Sequence, residues 1–140
     1  MGIASDHGGY KLKEDIKKKF SDIQWIDYGC DSEDSVDYPD FISILAKNVF
    51  EKKIETGIAI CGTGIGASMV ANRFKGVRAA LCHNRFTAEM SKKHNNANIL
   101  VLGARVLDNE NAFEIVQTYL DNEFEGGRHQ KRIEKIDNVC

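Results

Sequence analysis

A chain of 140 residues with a formal net charge of −2 and a pI near 6.1 has no general electrostatic drive toward nucleic acid or an anionic membrane. With 42% hydrophobic and 29% charged residues, it reads as a soluble chain of one ordinary domain, residues 1–140, long enough to bury a core. No apolar stretch reaches the length of a membrane span and no signal peptide opens the chain, so the expected compartment is the cytoplasm. Cys30, Cys61, Cys82 and Cys140 lie far apart, without C-x-x-C or zinc spacing, and are expected as free thiols.

In chain order, residues 2–5 read as a short first strand, broken by Asp6-His7-Gly8-Gly9. Tyr10, Leu12, Ile16 and Phe20 then recur near helical spacing. Residues 23–28 read as a second strand and residues 29–37 as an acidic, irregular loop. Tyr38-Pro39-Asp40 opens a helix over residues 40–52, with Phe41, Ile44, Leu45, Asn48 and Val49 expected on its buried face. Residues 57–60 form a third strand, followed by Cys61, the turn Gly62-Thr63-Gly64-Ile65-Gly66 and a helix from Ala67. Residues 77–81 are a fourth strand, 84–94 a helix stopped by Asn95-Asn96, and 98–103 a fifth strand. Asp108-Asn109 can cap a helix over 110–122, and Gly126-Gly127 leads into a polar last helix. Apolar strand runs alternating with helices predict an α/β fold, a three-layer αβα sandwich. Its sheet is expected to be five-stranded, parallel and Rossmann-like, with a C-terminal helical extension.

Ligands in such folds bind beyond the carboxyl ends of the strands. Asp6-His7, residues 61–66, His83-Asn84 and Arg105 are expected to share that rim. The glycine turn between strand and helix gathers backbone N–H groups suited to negative charge. It lacks the lysine of a phosphate loop. Gly62, Gly64 and Ala67 match the looser dinucleotide fingerprint, but no acid for a ribose follows the fourth strand. A tight turn without ligand is the plain alternative. Cys61 is either a small buried hydrophobe or a thiol activated by the anion loop. Asp6 can be a helix cap, and His94 a favourable helix C-terminal cation. Arg128 and Arg132, spaced i, i+4, are either a solvated tail or a phosphate fork.

Ser5-Asp6-His7-Gly8-Gly9, Asp37-Tyr38-Pro39, residues 60–66, His94-Asn95 with Asn98, and Gly126-Gly127-Arg128-His129-Gln130 with Arg132 resemble ribose-5-phosphate isomerase type B over essentially the whole chain. Related members act on allose or galactose 6-phosphate. The resemblance implies aldose–ketose isomerisation without metal or cofactor. It implies Cys61 as the catalytic base and His94 as the acid/base that opens the sugar ring, with Thr63 or Asp6 relaying hydroxyl protons. Asp6, His7, Gly62, Thr63, Gly64, Ile65, Gly66, Asn95, Arg105, Arg128 and Arg132 match substrate-binding positions. It also implies a homodimer, or a dimer of dimers, with sites built from both chains. The rival readings are a six-carbon sugar phosphate as substrate, or a non-catalytic phosphate- or nucleotide-binding module.

Overall fold

The strands that read as continuous apolar runs are the ones buried at every position. They are β1 (Gly2–Ser5), β3 (Gly57–Cys61) and β5 (Ile99–Gly103). The computed structural model describes residues 1–139, so the thiol expected at Cys140 lies outside the described residues. With β2 (Ile26–Asp27) and β4 (Ala79–Leu81) they form one five-stranded sheet in the order β2-β1-β3-β5-β4, parallel at every pairing.

Strand pleating divides the core into two layers. Ile3, Ile58, Ile60, Leu100 and Leu102 pack with Leu12 and Ile16 of α1 (Tyr10–Lys19), Ala88 of α4 (Arg85–Lys93) and Ala112, Ile115, Val116 and Tyr119 of α5 (Asn109–Asp121). Ala4, Ala59, Cys61, Ile99 and Val101 face Ile42, Leu45, Ala46 and Val49 of α2 (Tyr38–Phe50) and Ala67 and Ala71 of α3 (Ile65–Ala71). A 3₁₀ turn, Gly127–His129, and α6 (Gln130–Asp137) follow. This is the expected αβα sandwich with a helical extension.

Two expectations change. Of residues 23–28 only Ile26 and Asp27 pair with β1, and both are exposed. Ile23 and Trp25 instead pack on the core from outside the ladder. Asp27 accepts from Lys13 Nζ at 2.7 Å and Lys17 Nζ at 2.7 Å, and from Gly29 N–H at 2.9 Å. Burial opposes the charge on Asp27, but these donors outweigh it and hold the carboxyl below its ordinary range. The buried face of α2 is also rotated: Ile42, Leu45, Ala46 and Val49 are buried, whereas Ile44 is 44% exposed. The Phe41 ring covers Gly29, where a Cβ would fall 2.6 Å from it. Small Ala46 lets α2 lie close to the sheet, so the packed stripe follows residue size as well as hydropathy.

Because every strand is parallel, all carboxyl ends lie on one edge. The chain steps from β1 outward to β2, then across to β3 on the other side, so the switch point falls between β1 and β3.

Candidate active site

The loops that leave β1 and β3 meet at this switch point. Cys61 ends β3, with its side chain in the α2/α3 layer, 4% exposed. Gly64 turns back over it at φ +79° and donates its N–H to Cys61 Sγ at 3.2 Å. A Cβ at Gly64 would lie 3.1 Å from the Leu102 carbonyl carbon, so both the backbone angle and the close approach require glycine. Thr63 is exposed, and its Oγ1 accepts from Ile65 N–H at 3.3 Å. In the first turn of α3, the N–H groups of Gly66 and Ala67 have no carbonyl four residues back within the helix. The hydrogen bond donated to the Cys61 sulfur places a backbone amide dipole at this spot.

Other rim residues surround the thiol. Asp6 is 7% exposed, and its Oδ1 accepts from Gly9 N–H at 3.0 Å, which holds the β1 loop. His7 Nδ1 lies 3.2 Å from both the N–H and the carbonyl oxygen of Val36, so either tautomer is held. Arg105 N–H donates to Gly62 O at 2.8 Å, and its exposed guanidinium lies over Gly62 and Gly8. Among the described residues it has no carboxylate partner within ion-pair distance, so its charge is available to an anion. The Tyr38 ring lies on Gly66, where a Cβ would come within 2.5 Å. Tyr38, of the Asp37-Tyr38-Pro39 motif, is a further residue at this site that its sequence position alone does not place there. Asn84, expected at this rim, caps α4: Asn84 Oδ1 accepts from Thr87 N–H at 2.8 Å, and Thr87 Oγ1 from Asn84 N–H at 3.3 Å. His83 is exposed beside that cap, on the far side of β5 from Cys61.

The remaining expected residues are at the opposite edge. His94 is the C-cap of α4, which runs back from the carboxyl rim. Asn95 O accepts from Arg78 Nε at 3.1 Å, and Asn98 Oδ1 from Arg78 N–H at 2.8 Å, at the amino ends of β4 and β5. Arg78 in turn pairs with Asp137 of α6 at 2.8 Å, so Arg128 and Arg132 belong to this edge too. The ring of His129 stacks on that of His94, with centroids 4.2 Å apart and planes 14° from parallel. Burial lowers the proton affinity of His129, and positive charge on His94, Arg128 and Arg132 adds to the effect, with Glu125 opposing it. The stacking partner of His129 is not legible from its Gly126–Gln130 motif. Within one chain, Asp6, His7, Cys61, residues 62–66 and Arg105 are therefore together. His94, Asn95, Arg128 and Arg132 are together elsewhere. The carboxyl-to-amino span of β3, five residues, is about 16 Å.

Cys30 and Cys82 are free and buried, as expected of structural thiols. Burial pushes the Cys82 thiol up, with hydrogen bonds to Ser91 and Thr87 opposing it.

Strand ends, N–H groups and a guanidinium converging at a switch point are how α/β enzymes hold small anionic metabolites, and the protein is of that class. The ribose/galactose isomerase family matches residues 1–136. The chain belongs to that family and is an isomerase. Ribose-5-phosphate isomerase B of Escherichia coli strain K12 is 41% identical over 138 residues, which cover 97% of this chain and 93% of that one. The solved ribose-5-phosphate isomerase B of Clostridium thermocellum superposes with a TM-score of 0.95 at 48% identity, over 99% of this chain and 95% of that one. The Mycoplasma genitalium enzyme, solved with bound ribulose-5-phosphate, gives a TM-score of 0.91 at 42% identity, over 97% and 92% of the two chains. No described helix is long and apolar enough to cross a membrane.

Proposed function

We propose that the protein interconverts ribose 5-phosphate and ribulose 5-phosphate through a cis-enediolate, using neither metal nor cofactor. The observation that carries this reading is Cys61. Its sulfur accepts an N–H at the switch point, in a chain 42% identical to a relative solved with bound ribulose-5-phosphate. His94 moves a proton from O1 to the ring oxygen and opens the furanose; imidazole is suited to this near neutral pH. Cys61 thiolate takes the proton from C2. The C–H pair becomes the C1–C2 double bond, and the carbonyl pair moves to oxygen. N–H groups of residues 62–66 stabilise that oxyanion, each by about 3 kcal/mol. Protonation at C1 and proton relay between O1 and O2 through Thr63 Oγ1 or Asp6 complete the ketose.

The phosphate is held by Arg128 and Arg132, with His7, and Asn95 and Arg105 bind the sugar. The amino-edge residues reach the rim only from a second copy of the chain, so the working unit is a homodimer with shared sites. The phosphate's distance from Cys61 then measures the sugar, and a six-carbon phosphate needs one more carbon of room.

The test is turnover of ribose 5-phosphate beside allose and galactose 6-phosphates. We expect kcat/KM for the pentose to exceed that for the hexoses by at least about 100-fold; preference for a hexose would reverse the substrate assignment. Cys61→Ala, incubated with the pentose in deuterated water, is expected to leave C2 hydrogen unexchanged. Exchange at the wild-type rate would move the base elsewhere.

A further inference from the structure

His94, Glu125 and His129 form a group that the isomerisation does not use as a unit. One ligand atom from each lies within 4.8 Å of the other two. His129 Nε2 is 3.8 Å from Glu125 Oε2, too long for a hydrogen bond. That histidine is the only ion-pair partner of Glu125 among the described residues. The Glu125 N–H donates to Lys93 O at 3.1 Å, which ties the 125–129 segment to the end of α4. Lys93 Nζ is occupied by Glu89 at 2.5 Å. Gly126 and Gly127, at φ +69° and +56°, allow the chain to double back so that Glu125 and His129 face the same ring.

We propose that these three side chains bind a divalent transition metal ion, with Zn²⁺ the best match, and that the bound ion withdraws His94 from the reaction. Two imidazoles and one carboxylate suit Zn²⁺, Ni²⁺ or Cu²⁺ and are a poor set for Mg²⁺ or Ca²⁺. Zinc bonds of about 2.0–2.2 Å in a tetrahedral site put donor atoms roughly 3.3 Å apart. The Glu125–His129 pair is within about half an ångström of that separation, and the rings of His94 and His129 need only turn out of parallel. A fourth position stays open to water. Arg128 and Arg132 flank the group and oppose a cation, while the Glu125 carboxylate favours it. The ion coordinates a neutral imidazole nitrogen of His94, so that nitrogen cannot carry the proton between O1 and the ring oxygen. No electron is transferred, and a chelator restores the free side chain.

The inhibitory half rests on the role of His94 proposed above; the binding half does not. Zn²⁺ binding is therefore measured directly, by competition with a chromophoric chelator, on the full chain in a Cys61→Ser background, where the reactive thiol offers no rival ligand. One ion per chain is expected, weakened at least about tenfold by Glu125→Gln or by His129→Gln. Binding unchanged in both variants, or absent in the parent, overturns the site. In parallel, Zn²⁺ is added to otherwise native enzyme turning over ribose 5-phosphate. Activity is expected to fall and to return with chelator, and Glu125→Gln is expected to keep its basal rate and resist the ion. Equal inhibition of both enzymes overturns the inhibitory claim. A protein that binds Zn²⁺ as described yet turns over no ribose 5-phosphate sinks the proposed function and leaves the metal site standing.

Discussion

The separation of Cys61 from His94 makes a quantitative prediction about mixed oligomers. The two residues lie beyond opposite ends of the sheet, across a span of about 16 Å set by five-residue strands such as β3. Proton transfer requires each group within hydrogen-bond reach of the sugar, roughly 3 Å. On the roles proposed for these two residues, a substrate in contact with Cys61 of one chain is expected to meet His94 of another. Cys61→Ala and His94→Ala alone are each expected to lose about 10²–10⁴-fold of activity on closed ribose 5-phosphate. When both variants are co-expressed with different tags and assort at random, half the dimers are mixed. In a mixed dimer one site carries both lesions and the other carries none, so total activity should return to about one quarter of wild type. The assay is turnover of the co-purified mixture after tandem affinity selection, where mixed dimers alone should reach about one half of wild type. If the mixed dimer is no more active than either parent, both residues act within one chain and the placement of the site is wrong.

Three further predictions concern residues that shape the fold. Gly64→Ala should lower stability by about 2–4 kcal/mol, from the left-handed backbone and the approach to Leu102, and should reduce kcat by displacing the N–H that reaches Cys61. A wild-type urea midpoint and kcat would contradict this account. Tyr119→Phe removes the hydroxyl that donates to Ala97 O at 2.8 Å and meets Thr56 Oγ1 at 2.8 Å, and should cost about 1–2 kcal/mol in thermal unfolding; an unchanged melting temperature would show those bonds to be dispensable. The carboxyl of Asp27 is held below its ordinary range in the folded state, so its contribution is complete above the unfolded carboxylate range, about pH 4, and is lost as the pH falls through the folded value. Asp27→Asn should therefore flatten the acid limb of the stability profile. Parallel acid limbs for the two proteins would refute the assignment.

Much of the frame was legible in the sequence, for one physical reason. A strand covered on both faces needs apolar side chains at every position, and residues 57–60 and 99–103 show just such runs. Caps were legible for a similar reason: Asp108 accepts from Asn111 N–H at 2.8 Å, a short-range bond that the residue type announces. The second strand was overread because Ile23 and Trp25 are apolar for packing beside the ladder and not for pairing within it. The α2 face was misread because Phe41 and Ile44 outweigh Ala46 on any hydropathy scale, whereas close approach to the sheet favours the alanine. At the site, the rim group followed from topology. The stacking of His94 on His129 did not, because it joins a helix end to a segment more than thirty residues later through shape alone.

Sheet polarity explains why the two groups separate. In a parallel sheet each helix carries the chain from a carboxyl end back to an amino end. A residue that ends a strand, such as Cys61 of β3, and one that caps the far end of a helix, such as His94 of α4, then lie on opposite edges. A reaction that needs both kinds of residue commits the fold to self-association. The surface beside the glycine turn agrees with this reasoning. Ile65 and Met69 of α3 are spaced i, i+4 on one helix face and are 51% and 64% exposed, and Phe86 at the start of α4 is 68% exposed. Apolar side chains next to a polar site are suited to being covered, and a second copy that presents His94 and its arginines to the rim would bring its own surface against them. Replacing Met69 with Lys should then disperse the dimer in sedimentation and remove activity together. An active monomer would refute the dependence of the site on a second chain.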